Sequence, residues 1–362
     1  MTDFGEIGMT PSLNLSSENN QTNGHCEQID MPGRIFFILV YSLVFLVGLV
    51  LNGFTLKVYF FSAHQQVSSS VTIYLKNLVA ADFLLTLSLP IRIGHFASRS
   101  VTMIRVYCNF GASAFYLNMY ASILFMGYIA ANRYLKIVHP LGTHIFQTVR
   151  AAHIISAATW VVLLAIMTTY VTLSFLTEEP ILSVPNTLSC DALHSEQLSL
   201  FYKVIHTWSA AIFIIVLVSL IFFYHGTSHR LSEAQQRQQA SSGSKKLAKS
   251  RRNMLVLVSV FCVCFVPYHL VRLPYAFLKG WCSWRHAFFY LKELTVMVSV
   301  LNVCLDPLIY FIFCKAFRAQ LRLRRVFSAR EDPTHRASAE RRSSDLRMST
   351  IMFNRKSSLT AT

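Results

Sequence analysis

The chain has 362 residues, of which 53% are hydrophobic and 14% charged, with a mean hydropathy of +0.44. A soluble globular domain carries about a quarter of its residues as charges, so that class is excluded, and 28 Phe against 13 Gly and 10 Pro excludes a fibrous or disordered chain. The formal net charge of +16 would suit nucleic acid, but the basic residues fall in loops and the tail between apolar stretches, so nucleic acid is not an expected partner.

Residues 1–33 are polar, with two glycosylation sequons at Asn14-Leu-Ser and Asn20-Gln-Thr and a cysteine at Cys26. Seven apolar stretches follow, at 35–62, 70–96, 106–132, 152–177, 200–228, 253–279 and 286–313. Each exceeds the roughly 20 residues that cross the hydrocarbon core as a helix. The first carries Asn52 and the second Asp82, both deep within apolar surroundings. The third opens on Cys108, and Val106 to Asn132 contains no charged side chain. The connection after the fourth stretch holds Glu178, Glu179, Asp191 and Glu196, with Cys190 among them, and no Lys or Arg before Lys203. By contrast, 225–253 holds Arg230, Arg237, Lys245, Lys246, Lys249, Arg251 and Arg252, and the segment after Phe313 is also rich in Lys and Arg. The positive-inside rule places those two segments in the cytoplasm. Seven crossings then put the N-terminus outside, at the plasma membrane, with the first span serving as signal anchor.

The sixth stretch runs through Phe265-Val-Pro267-Tyr-His269-Leu-Val-Arg272-Leu-Pro-Tyr275, so His269 and Arg272 share a helix face. Lys292 and Glu293 open the seventh at a similar depth. Glu293 balances one of these cations. A ligand phosphate or carboxylate is the natural partner of another, because arginine presents a bidentate fork. Further along lie Asn302 and Asp306, which with Asn52 and Asp82 make a polar centre suited to a cation, with sodium at Asp82 the candidate.

Cys26, Cys108, Cys190 and Cys282 fall in or beside the outer segments, where disulfides persist; the sequence alone allows three pairings of the four. Cys314 at the inner end of the seventh span is a candidate for palmitoylation. Residues 314–327 are amphipathic and basic and read as a short helix 8 lying on anionic lipid. Residues 328–362 read as a disordered tail, with Ser343, Ser344, Ser349, Thr350, Ser357 and Ser358 set among basic residues as kinase sites. The expected fold is therefore an all-α membrane protein, a seven-transmembrane helix bundle over 34–313. A transporter would show repeated halves, which are not seen, and neither a metal-spaced cluster nor a nucleophile with a base points to an enzyme.

The motifs Gly48-x-x-x-Asn52, Leu78-x-x-x-Asp82, Cys108, Trp160, Phe261-x-x-x-Phe265-x-Pro267 and Asp306-Pro307-x-x-Tyr310, in this order on these spans, resemble class A (rhodopsin-like) G-protein-coupled receptors. The resemblance implies a heterotrimeric G protein as partner, with arrestin and receptor kinases at the tail. It assigns G-protein contact and activation to Arg133 and Tyr134, with Tyr224, Phe261, Phe265, Pro267 and Tyr310. Three departures stand out: Asn132 precedes Arg133 where the family has an acid, Val216 stands near the usual proline of span 5, and Phe265 replaces a common Trp. Loss of the acid predicts some basal activity, or a decoy that does not signal. Ile73-Tyr-Leu-Lys-Asn77, Phe115-Tyr-Leu-Asn-Met-Tyr120, the Phe265–Tyr275 string and Lys292-Glu293 are similar to the purinergic branch that senses ADP and UDP-sugars. That likeness implies phosphate binding at Arg272, Tyr275 and Lys292, a base near Tyr116, a second disulfide from Cys26 to Cys282, and an inhibitory G protein. Tyr202 and His206 replace the branch's His and Asn, so a lysophospholipid stays open as the alternative anion.

Overall fold

In a computed structural model the described residues are 31–61, 69–98, 100–138, 144–177, 190, 195–237, 242–277 and 282–313. Among them the order is α1 (Met31–Phe61), α2 (Ser70–Ala97), α3 (Val101–Val106), a π-helical turn (Tyr107–Gly111), α4 (Ala112–Val138), a 3-10 turn (Ile145–Gln147), α5 (Val149–Leu176), α6 (Glu196–Arg237), α7 (Ser242–Phe277), α8 (Cys282–Val300) and α9 (Asn302–Phe313). These make seven spans long and apolar enough to cross a membrane, with α3, the π turn and α4 as the third and α8 with α9 as the seventh. Asn14, Asn20, Cys26, Cys314, the amphipathic segment 314–327 and the tail 328–362 lie outside the described residues, as does the side chain of Cys282.

Each helix turns one face to lipid and another to its neighbours. On α1, Leu39, Leu43, Leu46 and Val50 recur at helical spacing and are exposed, while Phe37, Tyr41 and Val44 on the other face are buried. The third span is central, 67% of its most apolar stretch being buried in the protein, against 11% for the peripheral α5. The bundle closes from α1 to α2, α2 to α4, α4 to α6, α6 to α7, and back through α8 and α9 to α1. Against α6, α5 touches only sparsely.

Local chemistry sets the helix ends and bends. Ser69 and Thr148 cap α2 and α5 by accepting the backbone N–H groups of Thr72 and Ala151. Prolines lie inside α2 (Pro90), α7 (Pro267, Pro274) and α9 (Pro307). Pro307 has no N–H for the carbonyl of Val303 one turn back. Asn52 of α1 supplies it instead, its amide donating to Val303 O at 2.8 Å. Gly48, one turn earlier on α1, lets the helices meet there, since a Cβ on it would lie 3.0 Å from Val303 and 3.1 Å from Thr86.

Helices α6 and α7 run well past the apolar stretches 200–228 and 253–279, because Gln, Lys and Arg continue a helix in water once lipid ends. Without proline, α6 runs unbroken past Val216, which is buried against Gly127 of α4, where a Cβ would meet its side chain at 3.1 Å.

Candidate functional site

The sequence-predicted outer residues converge at the end of the bundle that carries the Cys108–Cys190 disulfide (Cα–Cα 5.5 Å). A cavity of about 300 Å³ lies beneath that bridge, lined by side chains from every span except the first. Tyr116, Arg272 and Lys292 line it. Tyr275 sits behind the cations, its ring 5.6 Å from the Arg272 guanidinium and 4.9 Å from Lys292 Nζ. The guanidinium of Arg272 also lies over Tyr116 (5.6 Å) and Tyr202 (5.2 Å), so three tyrosine faces hold it in place. His269 is not in the lining. It donates from Nδ1 to Phe265 O (2.8 Å), accepts the Tyr120 hydroxyl at Nε2 (3.1 Å), and stacks on Phe213 at 3.8 Å.

The residue that sequence reasoning missed is Arg92 of α2. It is buried, its guanidinium 2.5 Å from Glu293 Oε2 and 2.5 Å from the Tyr107 hydroxyl. Lys292 Nζ holds the other oxygen of Glu293 at 3.1 Å. One carboxylate is therefore shared by two cations, while Arg272 brings a third to the same cavity. A charge inside span 2 was the available signal. Its partner, 201 residues away, was not. The π turn brings Tyr107 to Arg92 and Cys108 to the disulfide.

Halfway down, Asp82 accepts hydrogen bonds from Ser122 (3.1 Å), from the amide of Asn302 (3.5 Å) and from the Tyr310 hydroxyl. Asp306, one turn beyond Asn302, is wholly buried, and neither of its oxygens has a hydrogen-bond partner among the described residues. The side-chain oxygens of Asn52 and Asn302 are likewise buried without a donor among those residues. Two buried carboxylates thus sit in one polar centre with two amide oxygens that lack donors among the described residues, an arrangement that a shared proton or a cation such as sodium would neutralise.

At the opposite end, Asn132 donates to Ser70 Oγ of α2 (2.9 Å). Arg133 makes no ion pair among the described residues, its guanidinium lying 4.9 Å from the ring of Phe313. Tyr134 stacks on Phe223 of α6 at 5.0 Å, and Tyr224 is half-buried beside it on the same helix. Between the two ends, Phe213 stacks on both His269 (3.8 Å) and Phe261 (5.7 Å), and Phe261 meets Phe265 edge-on at 5.4 Å. This aromatic column lies beside Pro267.

Residues 52–310 match the family model described as 7 transmembrane receptor (rhodopsin family). The chain is 34% identical to purinoceptor 14 of Bos taurus over 82% of this chain and 88% of that one. It is 32% identical to G-protein coupled receptor 87 of Mus musculus (84% and 84%) and 29% identical to purinoceptor 13 of Homo sapiens (87% and 90%).

Proposed function

The chain belongs to the rhodopsin family of seven-transmembrane receptors, and we propose that this multi-pass G-protein-coupled receptor is switched by a small extracellular anion seated between Arg272 and Lys292. One observation carries the reading. Three side-chain cations, Arg92, Arg272 and Lys292, line one cavity with a single carboxylate among its lining residues, Glu293. A phosphate or carboxylate entering that cavity can be gripped by the guanidinium of Arg272 and the ammonium of Lys292, and the aromatic walls strengthen each contact by excluding water.

The ligand joins α7, through Arg272, to α8, through Lys292. Movement of α7 passes down the stacked His269, Phe213 and Phe261 to the stretch around Pro267. The population then shifts to states in which the far end of α7 opens and Arg133 meets the G protein. The purinoceptor names of these relatives make purine nucleotides the first class to test, and the resemblance of the Phe265–Tyr275 string and Lys292-Glu293 to the branch that senses ADP and UDP-sugars adds nucleotide sugars, with an inhibitory G protein as the first transducer. Asp82, Asp306, Asn52 and Asn302 would hold sodium in the resting state, supplying the positive charge that their burial demands.

The test is a screen of nucleotides, nucleotide sugars and lysophospholipids for lowering of cellular cAMP, repeated with Arg272→Ala and Lys292→Ala. We expect an active anion to lose at least tenfold in potency in both variants at matched surface expression. Unchanged potency in either would place the ligand elsewhere.

A further inference from the structure

Tyr120 of α4 lines the cavity, and its ring meets that of His269 of α7 edge-on, with centroids 5.8 Å apart. The partners of His269 fix its hydrogen-bonding roles. Nδ1 lies 2.8 Å from the Phe265 carbonyl, which can only accept, so Nδ1 carries the proton of the neutral ring. Nε2 is then the acceptor, and the Tyr120 hydroxyl donates to it at 3.1 Å. Phe213 of α6 covers one face of the imidazole at 3.8 Å. Ser209, one turn before Phe213, touches the same Tyr120 hydroxyl and also lines the cavity.

Phe213, Phe265 and Tyr268, which also touch that imidazole, do not line the cavity. The Tyr120 hydroxyl is therefore a directional link between the cavity and the aromatic column. It joins two unlike elements. The third span, which carries Tyr120, is the most buried of the seven, whereas α7 carries prolines at 267 and 274 on either side of Arg272 and His269. Toward the end opposite the cavity, Leu231 of α6 and Met254 and Leu257 of α7 are buried, so the bond is present in an arrangement closed to the G protein. A phenol has one proton, and a polar acceptor on a ligand competes with Nε2 for it.

We infer that Tyr120 is a positioning residue for activation: its hydrogen bond to His269 ties α7 to the third span at rest, and a ligand filling the cavity acts by drawing that hydroxyl away. This deepens the reading above and rests on it for the ligand's seat, but the bond itself is tested with no ligand present.

The full-length receptor is expressed in cells, and basal nucleotide exchange on a panel of heterotrimeric G proteins is measured in membranes at matched surface expression. Tyr120→Phe keeps the ring and removes the donor. One net hydrogen bond is about a two- to tenfold change in an equilibrium, so basal exchange should rise by that factor. His269→Phe keeps the stack on Phe213, removes the acceptor and should raise exchange equally. Adding Tyr120→Phe to His269→Phe should change nothing further, because the bond is already gone. His269→Gln puts an amide oxygen within reach of the hydroxyl, so in that background Tyr120→Phe should raise exchange again. A merely structural role would lower expression and exchange together and give no such dependence on residue 269. Unchanged or lowered exchange in Tyr120→Phe would overturn the inference, as would a second full increase when it is added to His269→Phe. Failure of the anion reading looks different: potency survives Arg272→Ala and Lys292→Ala while the Tyr120–His269 cycle still holds.

Discussion

At the scale of single residues, the outer site is organised around Glu293, and removing it costs more than removing either partner. Glu293→Gln removes the carboxylate that the buried Arg92 shares with the half-buried Lys292. Breaking a buried pair from one side costs about 3–5 kcal/mol, because the remaining charge is uncompensated. We expect the purified Glu293→Gln receptor to melt well below wild type. Adding Arg92→Met should recover most of the loss, since the remaining Lys292 can lift its ammonium toward water. Equal melting temperatures for the single and double variants would show that Arg92 is not the group left stranded. Asn132 is the second residue with a measurable consequence. It donates to Ser70 and carries no charge, and Arg133 lies against Phe313 without an ion pair among the described residues. Asn132→Asp supplies the missing anion. Asn132 is buried, so the new carboxylate would be stabilised chiefly by the neighbouring Arg133, and basal nucleotide exchange should fall. Unchanged basal exchange at equal expression would remove Asn132 as a cause of resting activity.

At the scale of elements, Pro307 costs α9 a backbone hydrogen bond and α1 replaces it. The amide of Asn52 satisfies the Val303 carbonyl that proline leaves open. Asn52→Ala should cost about 1–3 kcal/mol, the penalty of a buried acceptor without a donor. Pro307→Ala in the same chain restores a backbone N–H to that carbonyl, so the double variant should melt above Asn52→Ala alone. Additive losses would refute the pairing. Both residues are conspicuous in the sequence, yet their relation is not, because it links positions 52 and 303 through space. That contrast runs through the molecule. All seven spans were readable, since a helix in lipid needs only length and apolar side chains. The polar centre and the Arg272–Lys292 pair were readable because charge inside a span is costly wherever it occurs. The break at Leu301, the π turn at Tyr107–Gly111 and the clasp of Arg92 on Glu293 were not. Each depends on which helices become neighbours, and hydropathy along the chain says nothing of that. His269 shows the converse. Its spacing from Arg272 placed both on one face, but the ring turns to Phe213 and Tyr120 and serves as a packing link below the cavity.

At the scale of the whole molecule, two charged sites share the same helices. The outer site draws on α2 through Arg92, on α7 through Arg272 and on α8 through Lys292 and Glu293. The polar centre draws on α1 through Asn52, α2 through Asp82, α4 through Ser122 and α9 through Asn302, Asp306 and Tyr310. Span 2 and span 7 thus carry both, and Leu301, where the seventh span breaks, lies between them. An anion that moves α8 must therefore alter the geometry around Asp306, or the break must absorb the movement. If the two are coupled, linkage makes the effect reciprocal: sodium lowers anion affinity by the same factor that the anion lowers sodium affinity. Replacing potassium by sodium at constant ionic strength should weaken an active anion about fivefold or more, the lower bound of ordinary allosteric coupling. Asp82→Asn should abolish that difference while leaving the Arg272 and Lys292 dependence intact. Constant ionic strength matters, because screening alone would weaken binding at a site with three cations. If the anion binds equally in the two salts, the break at Leu301 isolates the sites, and the signal must travel through α7 and the stacked Phe213 and Phe261 alone.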